Sequence, residues 1–217
     1  MTATEHPLAA YSTATISDAL DKLGVESALL GLGPLFDTAR VFGRAYTVRY
    51  VNAGSPPGTV GDYLDDVPAG DVVVLDNAGR VDCTVWGDIL TAMAHARNVA
   101  GTVIDGVNRD VARALQLSYP IYSRGRFMRT GKDRVEVSDV GRPVSAGGRQ
   151  VAPGDLIIGD GDGVIRVPAT LAEQAAEICA VIAASEEKIV ADVLSGVSLA
   201  EARRRHGYHL LQRREPG

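Results

Sequence analysis

The chain has 217 residues, 46% of them apolar, enough for one full core, so a single domain over 1–217, with or without a terminal arm, fits that length. A formal charge of -5 with both signs interspersed excludes the clustered Lys and Arg of a nucleic-acid or anionic-membrane surface, so neither partner is expected. Cys83 and Cys179 stand far apart with no CxxC or Cys/His spacing, which excludes a disulfide framework and a structural zinc site, and no run approaches the ~18 apolar residues of a membrane helix. The first residues lack the basic start and apolar core of a secretory leader, so a cytoplasmic protein is expected.

Thr15, Ser17 and Asp18 precede apolar Ala19, Leu20 and Leu23, and Gly24 follows, so a capped helix is predicted over 16–23. Residues 43–51 alternate and are rich in β-branched types, as in a strand. A Pro/Gly loop at 54–58 leads to a short apolar run at 71–76, the pattern of a strand buried on both faces. A helix over 87–98, a buried strand over 101–106, a helix over 109–117 and a strand at 121–123 continue the grammar of parallel crossover units. From 134 onward turns and short strands predict a β-rich half, and a long helix over about 169–194 ends at Gly196. The sum is a layered α/β sandwich. A basic cluster, Arg203 to Arg205 with Arg213 and Arg214, reads as a solvated helix face or a subunit contact, since Glu201 and Glu215 dilute it.

Chemistry is expected beyond the carboxyl ends of the two buried strands, where α/β sheets bind ligands: Asp76 and Asn77, the Trp86-Gly87-Asp88 turn, and Asp105 through Asp110. Gly87 and the helix start after it offer Ile89 and Leu90 as first-turn N–H donors for a carboxylate. Arg109 adds a charged fork, and Asp88 and Asp110 supply oxygen ligands for a hard cation. Singly, Asp88 also fits a helix cap, Arg109 and Asp110 an exposed pair, and Asp105 a turn. Two carboxylates and an arginine beside a glycine-bounded helix start make the stronger reading together.

The spacing of Asp88 from Arg109-Asp110 lies within longer matching stretches: Thr15-Ile-Ser-Asp18, Gly43 to Val48, Gly70 to Val74, Trp86-Gly-Asp88, Gly101 to Asp110, and Pro153 to Val164. Through these the chain resembles the RraA-like family, in particular its catalytic branch, the class II aldolases of 4-hydroxy-4-methyl-2-oxoglutarate and 4-carboxy-4-hydroxy-2-oxoadipate. The resemblance implies the swivelling ββα type of α/β sandwich. It also implies Mg²⁺ or Mn²⁺ held directly by Asp110 and through water by Asp88, with Arg109 binding substrate and stabilising the pyruvate enolate. The substrate carboxylate is implied at Gly87, Asp88 and the N–H groups of Ile89 and Leu90. A homotrimer or homohexamer is implied as well, with the helix and tail from about 169 at the subunit interface. There Glu186 or Glu187 of a neighbouring subunit reaches the metal waters, or else simply decorates a helix surface.

A non-catalytic branch, the regulators of ribonuclease E, has glycine at the place of Asp88 and an acidic residue at the place of Arg113, so the residues found here favour the enzyme over that alternative. The methyltransferase label carried by some similar proteins would require a glycine-rich strand-to-helix loop that this chain lacks.

Cleaving the bond next to a ketone demands a stabilised enolate, as an iminium on lysine or as a metal-bound oxyanion. Lys22, Lys132 and Lys188 are the only lysines and none sits in an apolar strand, which leaves the metal route, with oxaloacetate decarboxylation as a consequence of the same enolate. His95, two turns into its helix, reads as structural, and a metal-bound water oriented by Asp88 is the base that the resemblance implies. Asp160-Gly-Asp162-Gly reads as a tight turn, since it lacks the remaining ligands of a calcium loop. The far end of a small 2-oxo acid would meet some of Arg40, Arg44, Arg49, Tyr63 and Arg124, or these are plain surface. An enzyme using the same enolate on an unrelated substrate stays open.

Overall fold

The computed structural model describes residues 6–210. Its helices are α1 (Thr13–Lys22), α2 (Asp88–Ala96), α3 (Val111–Gln116), α4 (Ala172–Leu194) and α5 (Leu199–Arg205). Its strands are β1 (Gly33–Pro34), β2 (Val41–Asn52), β3 (Val72–Thr84), β4 (Gly101–Asn108), β5 (Ile121–Arg126), β6 (Val135–Val140), β7 (Val144–Ala146), β8 (Arg149–Val151), β9 (Leu156–Asp160) and β10 (Gly163–Val167).

The main sheet runs β1-β5-β4-β3-β2-β9-β10, with β6 also on β2. Strands β2 to β5 are parallel, the result of crossover connections through the 3-10 turn Asp62–Asp66, α2 and α3, whereas β9 and β6 pair antiparallel with the two halves of the long β2. Alternate residues of β3 serve two cores. Val73 and Leu75 pack with Ile104, Ile121, Trp86 and Tyr119 beneath α2 and α3, while Val72 and Val74 join Val103, Tyr122 and the β7–β8 hairpin on the opposite face. That double burial is why the run reads as continuously apolar.

Beyond β9 and β10, α1 and α4 bring Ile16, Leu20, Ala175, Cys179 and Ile182 into a third cluster. Each fully buried Ile or Leu there contributes roughly 1.5–3 kcal/mol. The architecture is thus the layered, swivelling ββα sandwich that the sequence predicts.

Several elements differ in extent from the sequence reading, two of them for reasons that bear on the site or its support. Helix α1 begins at Thr13, because Ser12 Oγ accepts the Thr15 N–H (3.1 Å) and Asp160, far along the chain, accepts the N–H of Thr13 (2.8 Å) and its hydroxyl (2.7 Å). Strand β3 continues past Asp76 through Ala78 and Gly79, both at positive φ, and its register against β4 shifts at Arg80. This bulged extension carries the chain to the Trp86-Gly87 turn. No helix among the described residues is long and apolar enough to cross a membrane.

Candidate active site

The site is assembled where β3 and β4 end. After β3, Trp86 is fully buried, and its indole Nε1 donates to Thr91 Oγ1 (2.9 Å), whose hydroxyl donates to Gly87 O (2.9 Å). This ties the turn to the first turn of α2. After β4, the Arg109 N–H donates to Trp86 O (3.1 Å), so the two loops are pinned to each other. Asp110 follows in the left-handed region (φ 56, ψ 40), a conformation Asp tolerates better than most residues. Although Asp110 occupies the N-cap position of α3, its carboxylate does not cap that helix. Instead Oδ2 accepts from the Asp88 N–H (3.2 Å) and forms an ion pair with the Arg109 guanidinium, whose Nε lies 3.1 Å away.

Gly87 is the reason these groups can meet. A Cβ there would lie 2.7 Å from Asp110 Oδ2 and 3.2 Å from Arg109 Nε. The missing side chain leaves Arg109, Asp110 and Asp88 around one small volume. At the start of α2 the Ile89 N–H is taken by Asp88 Oδ1 (2.8 Å), whereas the Leu90 N–H has no partner among the described residues. Two residues thus offer a carboxylate docking point: Leu90 directly, and Ile89 once Asp88 turns away.

Gly87, Asp88, Ile89, Leu90 and Arg109 line a cleft of about 500 Å³, together with Leu64, Val85, Trp86 and Met93 on its apolar side and Thr59, Asp62, Asp65, Thr130 and Lys132 on its polar side. The last five were not anticipated. They come from the glycine-rich segment after β2 and the turn before β6, and only the folded chain carries them to the end of α2. The glycine run at 54–61 marked a loop, yet nothing in it names the face it would close.

Other expected residues take structural work instead. Asp76 accepts the N–H groups of Ala78 and Ser145 (both 3.0 Å), and Asp105 accepts the Gly147 N–H (3.1 Å) and pairs with Arg124, so both carboxylates secure the β7–β8 hairpin. Asn77 is buried against Cys83 O. Arg49 lies 3.7 Å from Asp76 and donates to Pro143 O, and the Tyr63 hydroxyl is buried beside that of Tyr50, where burial pushes its pKa well up. Arg40 faces Asp160, and Arg44 faces Asp71. None of these five far-end candidates lines the cleft. His95 is exposed on α2 outside the cleft.

Asp160 is a turn residue: burial would raise its carboxyl, but the Thr13 and Asp162 hydrogen bonds and the charge of Arg40 hold it below the usual carboxylate range. In the basic cluster, Arg204 and Arg205 both grip Glu201, which they hold at about 2, and Arg205 and His206 reach Asp192. Arg213 and Arg214 lie outside the described residues. Glu186 and Glu187 border a groove on α4 with Ala183, Val190, Ala191 and Leu194, separate from the cleft that Arg109 lines. Among the described residues no three His, Cys, Asp or Glu side chains gather as a metal site.

Comparison with known proteins places this geometry. The Aldolase/RraA model of the RraA-like family matches residues 13–166, which include every residue of the Gly87–Asp110 constellation. The chain belongs to the RraA-like family. Within reach of this RraA-like chain is the Legionella pneumophila protein DlpA, 38% identical over 91% of this chain; the match spans only 32% of DlpA, a far longer protein. A Halalkalibacterium halodurans protein provisionally named 4-hydroxy-4-methyl-2-oxoglutarate aldolase is 37% identical over 72% of each chain. Among solved structures, an uncharacterised Pseudomonas syringae protein superposes with a TM-score of 0.84 at 40% identity, over 91% of this chain and 94% of the other. Streptomyces coelicolor RraAS2, described as an unusual member of the RNase ES inhibitor RraA family, superposes at 0.72 with 30% identity over 79% and 88%.

Proposed function

We propose that this RraA-like protein is a cytoplasmic, divalent-metal-dependent lyase that cleaves 4-hydroxy-4-methyl-2-oxoglutarate-type 4-hydroxy-2-oxo acids to pyruvate, with oxaloacetate decarboxylation as a side activity. The observation that carries this reading is the convergence of Arg109, Asp110 and Asp88 around Gly87 at the mouth of the cleft. Relatives provisionally named as aldolases support the reaction class.

The residues fit a hard cation. Asp110 Oδ1 and one Asp88 oxygen have no hydrogen-bond partner among the described residues, and two carboxylates suit Mg²⁺, which keeps several waters and rarely needs an all-protein cage. Asp110 would hold Mg²⁺ or Mn²⁺ directly and Asp88 through water, and the bound ion would supply Lewis-acid polarisation of the keto group.

The chain's own groups do the rest. The Leu90 N–H, at the positive end of α2, receives the substrate carboxylate. Asp110 Oδ2 fixes Arg109 Nε, which leaves the remaining guanidinium N–H groups to donate to the keto oxygen as negative charge builds there. Asp88, on the same turn, orients the water that takes the C4-hydroxyl proton while the C3–C4 bond breaks. C4 leaves as a ketone, the bond's electron pair forms the enolate, with its charge on the keto oxygen, and the proton is returned to C3 to give pyruvate. Leu64, Val85, Trp86 and Met93 keep bulk water from the apolar side of the cleft.

Assembly as a homotrimer or homohexamer would let Glu186 or Glu187 of a neighbouring copy complete the site. The exposed Val181, Val190 and Leu194 on α4, beside those glutamates, support a buried role for this face.

A pyruvate-coupled assay over several 4-hydroxy-2-oxo acids, comparing wild type with Arg109→Ala, tests the reading. Wild type should release pyruvate from at least one of them, and the variant should lose about 10² to 10³ in kcat, the scale for a lost oxyanion donor, with a smaller change in KM. An effect on KM alone would reduce Arg109 to a binding group. A non-catalytic regulator of ribonuclease E is the alternative, favoured by the likeness to RraAS2; absence of turnover across the panel together with inhibition of ribonuclease E by the purified chain would decide for it.

A further inference from the structure

One wall of the cleft is built from the segment between β2 and the next 3-10 turn, Gly58, Thr59, Val60 and Gly61, with Asp62 opening that turn. This stretch has no regular structure of its own, so its position must be set by contacts to other elements. The Gly54 and Gly58 N–H groups both donate to one carboxylate oxygen, Glu136 Oε2, at 3.0 and 2.7 Å. Two donors four residues apart on a single acceptor close the segment into a small ring. Glu136 stands on β6, opposite Val51 of β2. Its neighbour Val137 donates its N–H to Thr59 O (3.0 Å), and the Tyr50 hydroxyl donates to Val60 O (2.5 Å). The approach is tight: a Cβ on Gly58 would lie 3.2 Å from Glu136 Oε2.

The far end of the same wall rests on the catalytic side of the cleft. A Cβ on Gly61 would come within 2.7 Å of Leu90 Cδ2, so Gly61 is packed directly on the residue whose N–H is offered to the substrate. The turn leading into β6, with Thr130 and Lys132, lines the cleft as well. Glu136 therefore joins two of its walls and, through Gly61, sets the spacing to the third.

We propose that Glu136 is a positioning residue for the active site, whose carboxylate clamps the 54–58 turn and so holds the 58–62 wall at the width the substrate needs. It touches no reacting atom and acts through the loop. Arg109, Asp88 and Asp110 are left in place when the clamp is removed, so the effect falls on binding. The turnover part of this inference rests on the lyase reading; the clamp itself does not.

The test uses the full chain with Glu136→Ala and Glu136→Gln. The glutamine keeps one carbonyl oxygen able to accept both N–H groups, and thermal unfolding with circular dichroism establishes that each variant is folded. In Glu136→Ala, amide hydrogen exchange over 54–61 should quicken at least about tenfold, and the KM for the cleaved substrate should rise about tenfold or more while kcat stays within about twofold; a wall displaced by ~1 Å can cost up to about 10². In Glu136→Gln both readouts should return to within about threefold of wild type. Unchanged exchange in Glu136→Ala overturns the clamp. Faster exchange with unchanged KM, or a fall in kcat at constant KM, overturns the positioning role. If wild type turns over no 2-oxo acid, the lyase reading fails, and calorimetric titration with pyruvate and Mg²⁺ replaces KM: weaker binding to Glu136→Ala then supports positioning, and equal or absent binding overturns it.

Discussion

Gly87 shows how a residue without a side chain can organise a site. Its position permits Asp110 Oδ2 to approach the backbone of α2 while holding Arg109 Nε, and a methyl group there would force both to move. Gly87→Ala should therefore lower kcat/KM at least about tenfold while the melting temperature stays nearly constant, because the displaced groups are half-exposed and carry little of the core. Activity equal to wild type would show that the close approach is incidental. That Asp88, Arg109 and Asp110 meet was legible in the sequence because each sits next to its own strand end, where local order brings the two loops together. Arg49, Arg124 and Tyr63, open in the sequence between far-end contacts and plain surface, have partners Asp76, Asp105 and Tyr50 on other strands, and sequence alone does not pair them. Thr59, Asp62 and Lys132 went unseen because the cleft wall is joined only in three dimensions.

Elements were read well where burial is local and less well where a distant group sets an end. The parallel run through β3, β4 and β5 announced itself by continuous apolar stretches, and α4 by its buried positions at helical spacing. Helix α1 starts three residues earlier than its apolar pattern suggests, since Asp160 of the β9–β10 turn receives Thr13. That contact predicts a pH effect. Burial opposes ionisation of Asp160, but the Thr13 and Asp162 hydrogen bonds and Arg40 outweigh it, so the carboxyl titrates lower in the folded chain than in the unfolded one. The stabilisation is then fully present above the unfolded value of about 3.9 and is lost as pH falls through the lower folded value. Urea midpoints measured across pH should show Asp160→Asn less stable than wild type near neutrality, with the gap closing in acid. Parallel acid curves for the two proteins would assign the acid sensitivity to other groups.

At the scale of the molecule, the proposed site would be completed between copies. Arg109, Asp110 and Asp88 would supply one side of the proposed cation site, while Glu186 and Glu187 border a separate groove next to exposed Val190 and Leu194. In the proposed ring these surfaces meet between copies. Co-expressed Asp110→Ala and Glu186→Ala/Glu187→Ala chains, each inactive alone, should then recover part of the turnover once mixed assembly is verified by mass. Full activity of the double glutamate variant by itself would confine the site to one chain.

The central claim is a metal-dependent carbon–carbon lyase centred on Arg109, Asp110 and Asp88, and its most direct measurement is pyruvate release from oxaloacetate under metal control. Chelator should abolish release, Mg²⁺ or Mn²⁺ should restore it, and borohydride added with pyruvate should leave the protein mass unchanged. Release that survives complete removal of metal, or a reduced adduct on Lys132 or any other lysine, would contradict the account.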